Sequence, residues 1–168
     1  MIKLWVIDVD GTMTDGGIYY DNFGNELKKF CSKDAAGFFA LHQLDVKTAI
    51  ITGRECPATS RRLKELMATY IFQGVKNKYV FLQDFMLSNG FNKEEVAYIG
   101  DDLNDLEPMK LAAYVACPSD ACKEIKAIAN FVSSLKGGEG AVRDIIEHYL
   151  REKGLWESTV ESVYGIRT

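Results

Sequence analysis

The apolar residues of this chain come in short unbroken runs, separated by stretches with helical spacing. Residues 2–9 form an almost continuous apolar run, the signature of a strand buried on both faces of a parallel sheet. Val46–Ile51, Tyr70–Phe72, Val96–Ile99, residues 113–117 and residues 130–132 read as further strands. Helices fill the gaps. One runs from about 35 to 44, with Asp34 as its cap and Phe38, Leu41 and Leu44 on one face. Pro57 opens a second, which reaches about Met67. A third, about 76 to 88, stops at Asn89-Gly90, and Asn92-Lys93-Glu94-Glu95 then reads as a capping box. Helices at about 103–111, 120–127 and 141–153 complete the alternation, and the tail 154–168 has weak helical spacing in Trp156, Val160 and Val163. Strands alternating with helices predict an α/β fold, a Rossmann-like domain with a central parallel sheet flanked by helices.

One stretch breaks the alternation. Between Gly16 and Phe30, two short β-prone runs flank Asp21-Asn22-Phe23-Gly24, which predicts a β-hairpin (about 17–31) after the first strand. Tyr19, Tyr20, Phe23 and Phe30 give it more aromatic surface than an isolated hairpin can carry in water, which points to burial against another subunit.

No repeat, low-complexity segment or linker divides the 168 residues, so a single domain is expected over 1–168. A net charge of -4 argues against nucleic acid as a partner. No apolar run approaches a membrane span and no signal-peptide pattern opens the chain, so a cytoplasmic protein without a membrane partner is expected. Cys31, Cys56, Cys117 and Cys122 lack the spacing of a zinc site and read as reduced thiols.

The candidate chemistry lies where the predicted strands end, because sites in parallel sheets form beyond the carboxyl ends of strands. Asp8-Val9-Asp10, Thr52-Gly53 and Asp101-Asp102 occupy three such ends, and Lys78 starts a helix just past Gly74. A buried strand ending in acids is costly unless a cation or a reacting group uses them. A phosphate ester gives each residue a task. A carboxylate can attack phosphorus to form an aspartyl-phosphate, and Mg²⁺ would neutralise the repulsion between the two anions. Asp8 and Asp101 would supply carboxylates to the metal. Asp10 is placed to protonate the leaving oxygen and later to deprotonate water. Thr52 would donate to a phosphoryl oxygen, and Lys78 would add a fixed positive charge.

Asp8-Val9-Asp10-Gly11-Thr12, Thr52, Lys78 and Gly100-Asp101-Asp102-Leu103-Asn104-Asp105 resemble, in order, the four motifs of the haloacid-dehalogenase-like phosphatases. The resemblance implies that Asp8 is the nucleophile and Asp10 the acid/base. It also implies that Asp8, the Asp10 backbone carbonyl and Asp101 hold the metal, with Asp102 and Asp105 in support. Only about 40 residues separate Asp10 from Thr52, so no cap domain fits there. The hairpin, the Gly-Arg after Thr52 and the segment 137–143 resemble the capless branch of 3-deoxy-D-manno-octulosonate 8-phosphate phosphatases and their nonulosonate 9-phosphate relatives. That resemblance covers about residues 2–150. It implies a sugar-acid phosphate as substrate, a homotetramer built through the hairpins, and a C-terminal segment covering a neighbour's site. Thr12 departs from the Val usual in that branch.

Thr52, Gly53, Arg54, Arg62, Lys78 and Arg143 are the substrate-binding candidates. Arg54 matches the octulosonate enzymes, and an Arg suits a carboxylate by bidentate pairing. Of Arg61 and Arg62, adjacent on a helix, only one can face the site, and the resemblance selects Arg62. Arg143 belongs to the Gly-rich segment, of its own or a neighbouring subunit. Asp15 reads as a turn cap, Lys28 and Lys29 as solvent charges, and Ser32 and Asp34 as capping residues. His42 and His148 have no partner at ligand spacing. Two other readings stand beside this one: a nonulosonate 9-phosphate phosphatase, and a non-catalytic oligomerisation module like those fused to sugar-nucleotide synthetases. A phosphoprotein phosphatase fits less well with Arg54 and a covering Gly-rich segment.

Overall fold

The computed structural model describes residues 1–166. Six strands form one sheet in the order β5-β4-β1-β6-β7-β8, and every neighbouring pair is parallel. They are β1 (Leu4–Ile7), β4 (Lys47–Ile51), β5 (Tyr70–Phe72), β6 (Val96–Ile99), β7 (Tyr114–Cys117) and β8 (Phe131–Val132). β2 (Tyr19–Tyr20) and β3 (Glu26–Leu27) form the hairpin, a separate antiparallel pair. The helices are α1 (Asp34–Gln43), α2 (Pro57–Glu65), α3 (Lys78–Asn89), α4 (Leu103–Met109), α5 (Lys123–Ile128), α6 (Ala141–Glu152) and α7 (Trp156–Tyr164).

The continuous apolar runs have the expected cause: the sheet is covered on both sides. Trp5 and Ile7 of β1 pack with Phe38 and Leu41 of α1, Leu63 of α2, Ile145 and Ile146 of α6, and Trp156 and Val160 of α7. Leu4 and Val6, pointing the other way, pack with Leu82 and Met86 of α3, Met109 of α4 and Ile125 of α5. Burying each of these large side chains contributes roughly 1.5–3 kcal/mol. Val163 lies half-buried beside Trp156 and Val160, so the weak spacing of the tail does mark a helix; positions 167 and 168 lie outside the described residues.

β1 lies between β4 and β6, with Ile7 opposite both Ile50 and Ile99. The strand order therefore reverses at β1, and the ends of β1, β4 and β6 open onto one crevice. Between β1 and β4 the chain has only the hairpin and α1. Between β4 and α3 it has only α2 and β5.

Two expectations are corrected. Asp34 does not cap the helix that follows it. The helix begins one residue early, with Lys33 at its N-cap, so Asp34 is buried inside the first turn. Its Oδ1 instead accepts the backbone N–H of Arg143, 3.1 Å away, in the first turn of α6. The N-cap of α6 is Gly140, which has no side chain to offer, and Asp34 fills that role from across the interface.

The second correction concerns Lys28. Its side chain is only 1% exposed, and it is not a solvent charge. Alternation sends Leu27 outward and turns Glu26 and Lys28 inward, towards the end of β1.

Gly137 and Gly138 of the Gly-rich segment press against the backbone of the loop after β1 in their own chain, where a Cβ on Gly137 would stand 1.9 Å from the Gly11 carbonyl oxygen. The Gly138 N–H donates to the Thr12 carbonyl at 3.3 Å.

Candidate active site

The loop after β1 is wound around a single carbonyl. The N–H groups of Thr12, Met13 and Thr14 all donate to the Val9 oxygen, at 3.3, 2.9 and 3.0 Å. The buried Thr14 hydroxyl fastens the turn by donating to the same oxygen and accepting from the N–H groups of Gly11 and Gly16. Gly11 has φ +93°, and a Cβ there would lie 2.2 Å from Asp101 Oδ2. Glycine is thus required both by the backbone and by the close approach of the second acid.

The Asp8 N–H donates to the Ile99 carbonyl at 2.9 Å, which ties the ends of β1 and β6 together. Lys78 Nζ donates to Asp8 Oδ1 at 2.5 Å and to Asp105 Oδ1 at 2.7 Å. Asp105 Oδ1 also accepts the Tyr98 hydroxyl at 2.8 Å, and Asp105 Oδ2 accepts the Asp101 N–H at 3.2 Å. Asp101 Oδ1 accepts the Thr12 hydroxyl at 2.9 Å. Asp8, Asp101 and Asp105 each offer a carboxylate oxygen within 4.8 Å of the others.

Two of these carboxylates, Asp8 and Asp105, share the buried Lys78 ammonium, and Asp101 adds a third negative group beside them. Burial, together with the Asp105 charge, pushes Asp8 well above the usual carboxylate range, against the pull of Lys78. Burial raises Asp101 to about 6, opposed by the Thr12 hydrogen bond. The surplus negative charge calls for a further cation. Asp105 is spent on Lys78, Tyr98 and Asp101, so Asp8 and Asp101 remain the carboxylates for it. The donor set is all oxygen, which fits a hard divalent ion such as Mg²⁺.

A second cluster stands across the crevice. Asp10 Oδ2 accepts the Thr52 hydroxyl at 3.0 Å, and Asp10 Oδ1 accepts from Lys28 Nζ. Lys28 also pairs with Glu26 at 2.8 Å. Burial works against the Lys28 charge, but its bonds to Asp10 and Glu26 hold its pKa above the ordinary lysine value. Glu26 in turn takes Arg54 Nε at 3.1 Å and Arg54 Nη2 at 2.6 Å. The Arg54 and Lys28 hydrogen bonds hold Glu26 down at about 2 and raise Arg54 above the usual arginine value. The Arg54 fork, expected to be open to substrate, is thus engaged by Glu26.

Asp8, Asp10, Thr52, Gly53, Arg54 and Asp102 line one cavity of about 450 Å³, with Leu103 and Asn104. Asp102 is exposed and caps α4 through the Leu103 N–H. Arg62 lies outside this cavity, donating to the Cys31 carbonyl and to Glu65, both at 3.3 Å. Arg143 lies outside it too, pairing with Glu147 at 3.2 Å above the Trp156 ring and lining a different cavity with Ser32 and Lys33. Asp15 makes the expected turn, accepting the Gly17 N–H at 3.0 Å and the Tyr19 hydroxyl at 2.8 Å.

Sequence reasoning missed Glu26, Lys28, Thr14 and Tyr98. The alternation in Glu26-Leu27-Lys28 was the available signal for the first two. A tyrosine inside a fully apolar strand, whose hydroxyl needs a partner, was the signal for Tyr98.

A family model of haloacid dehalogenase-like hydrolases matches residues 69–146. The 3-deoxy-D-manno-octulosonate 8-phosphate phosphatase KdsC of Escherichia coli K12 is 36% identical over 153 residues, which cover 91% of this chain and 81% of the relative. The KdsC of Yersinia pestis is 38% identical over 146 residues, 87% of this chain and 78% of the relative. Among solved structures, the 3-deoxy-D-manno-octulosonate 8-phosphate phosphatase of Moraxella catarrhalis, in complex with a magnesium ion, a phosphate ion and a KDO molecule, superposes with a TM-score of 0.91. It is 35% identical, and the match covers 96% of this chain and 92% of that one. The cobalt-bound phosphatase of Haemophilus influenzae is 34% identical, with a TM-score of 0.86 over 95% of this chain and 92% of that one. Fold, motif order and identity agree: the chain belongs to the haloacid dehalogenase-like phosphatases, in their capless 3-deoxy-D-manno-octulosonate 8-phosphate phosphatase branch.

Proposed function

We propose that this protein is a cytoplasmic, Mg²⁺-dependent phosphatase that hydrolyses 3-deoxy-D-manno-octulosonate 8-phosphate through an aspartyl-phosphate. The observation that carries the reading is the pairing of Asp8 with Lys78 and of Asp10 with Thr52 on one crevice at the reversal of strand order. The choice of the eight-carbon sugar rests on the named relatives, not on Arg54, whose fork holds Glu26.

Asp8, Asp101 and the Asp10 backbone carbonyl would hold the metal, which supplies charge neutralisation between nucleophile and phosphate. Asp8 attacks phosphorus. The bond from phosphorus to the sugar oxygen breaks, and the Asp10 carboxyl gives that oxygen its proton. Water then attacks the aspartyl-phosphate, Asp10 takes the water's proton, and phosphate leaves as Asp8 is restored. Lys78 orients Asp8 throughout and offsets charge on the transferred group. Thr52 holds Asp10 and, with Gly53, lines the cavity that would receive the phosphate. Asp105 acts through Lys78. Arg62 and Arg143 do not reach the cavity from their own chain, so a role for either at the substrate comes from a neighbouring subunit.

The assembly is proposed to be a homotetramer joined through the hairpins, whose outer face exposes Tyr19 and Leu27 and whose tip exposes Phe23. The deciding assay measures phosphate release from octulosonate 8-phosphate and from nonulosonate 9-phosphates, with Mg²⁺ and with chelator. Turnover that needs Mg²⁺, favours the octulosonate and drops by more than 1,000-fold in Asp8→Asn is expected. A higher kcat/KM for the nine-carbon sugar would move the assignment to that branch. A tetramer inactive on all of them would make the chain an oligomerisation module.

A further inference from the structure

Lys28 is the buried cation that the four motifs do not account for. It reaches the site from the hairpin, an element with only two residues in each strand, and its ammonium lies between Asp10 and Glu26. Burying a lysine this completely costs several kcal/mol unless its charge is matched. Here two carboxylates match it, and one belongs to the residue that must move protons in both halves of the proposed reaction.

We propose that Lys28 is a positioning residue for Asp10: the hairpin of the same chain completes the acid/base apparatus. The inference rests on the phosphatase reading above. Asp10 is tethered at both ends, by Thr52 at Oδ2 and by Lys28 at Oδ1, and this fixes its side-chain rotation. Each carboxylate oxygen accepts from one side-chain donor and keeps a second lone pair, so the tether leaves room for the proton of the leaving oxygen or of water. Without Lys28, one hydrogen bond remains and the carboxyl can turn about it. Misplacement of a reacting group by about 1 Å costs about 100-fold in rate. Glu26 holds Lys28 from the other side and is itself clamped by Arg54, which follows the β4 strand end. The tether is thus anchored to the sheet at two points, β1 through Asp10 and β4 through Arg54.

The role separates kcat from KM. Lys28 does not line the cavity, so Lys28→Met, which keeps the apolar stem, should lower kcat by about 10- to 100-fold and leave KM within twofold. Lys28→Arg, which restores a cation, should recover part of the loss. A double-mutant cycle removes the ambiguity of a general structural effect. In an Asp10→Ala background, residual turnover of p-nitrophenyl phosphate should be unchanged by Lys28→Met, because the group it positions is gone. An equal fractional loss in both backgrounds, or a loss confined to KM, would overturn the proposal. So would full activity of Lys28→Met. Should that protein fold poorly, Glu26→Gln, which loosens Lys28 from its second anchor, is read in the same cycle. It should lower kcat in the Asp10 background and be silent in the Asp10→Ala one. The unmodified protein in Mg²⁺ tests the phosphatase reading separately: if it releases no phosphate, that reading fails, whatever Lys28 does.

Discussion

At the scale of single residues, Asp34 carries a charge that its surroundings oppose. Burial lifts its carboxyl from 3.8 to about 6, although the Arg143 N–H and the charges of Arg62 and Arg143 pull the other way. Between those two values the folded chain binds the proton more tightly than the unfolded chain does. The contribution of Asp34 is therefore fully present below the lower value and is lost as pH rises through the higher one. Asp34→Asn keeps the oxygen that accepts the Arg143 N–H and removes the charge. It should be more stable than the parent at pH 8, by roughly 2 kcal/mol, and the difference should shrink towards zero near pH 4. Urea midpoints at the two pH values measure this, and a variant less stable at pH 8 would show that the arginines outweigh burial. The sequence identified Asp34 as a capping residue but not which helix it caps. That partner is 109 positions away, and its need arises from Gly140, which leaves the start of α6 bare. Asp8, Asp10, Thr52 and Lys78 were legible because each sits at a strand end or a helix start, where local pattern suffices. Lys28 was not, because its value depends on a long-range approach.

At the scale of elements, the boundaries set by punctuation were the most readable. Pro57 opens α2 and Gly90, at φ +71°, closes α3, as their residue types require. The Gly-rich segment was tied to covering a neighbour's site only through the resemblance; within its own chain its glycines mark close contacts rather than freedom. Two glycines with different surroundings make the distinction testable. A Cβ on Gly90 would meet open space, so Gly90→Ala carries only the strain of a left-handed backbone, about 1 kcal/mol, and kcat should not change. A Cβ on Gly137 would run into the Gly11 and Thr14 carbonyls, at 1.9 and 2.8 Å. Gly137→Ala should displace the loop that presents Asp10 and Gly11, and kcat should fall by at least tenfold. Parallel denaturant melts and kinetics on the two variants check this. If Gly137→Ala kept its full kcat, the segment would not be a buttress.

At the scale of the whole molecule, the sheet explains why a few motifs carried so much information. Reversing the strand order at β1 brings Asp8, Thr52 and Asp101 to one place although 93 residues separate the first from the last. The hairpin is the part this logic does not reach, since it belongs to neither layer of the core. Its inner face serves the site through Glu26 and Lys28, while Phe23, at its tip, is 91% exposed. Two strands of two residues cannot hold such a surface in water by themselves. Burying the outer face in a tetramer would stabilise the hairpin and, through Lys28, the acid/base group. Replacing Phe23 and Leu27 together by Ser leaves Glu26 and Lys28 in place and removes apolar area only from the tip and the outer face. The variant should sediment as a smaller species, and its kcat should rise with protein concentration, because reassembly reseats the hairpin. A variant that sediments like the parent would place the subunit contact elsewhere. A dissociated variant with undiminished kcat at every concentration would show that the hairpin holds Lys28 in place without a neighbour.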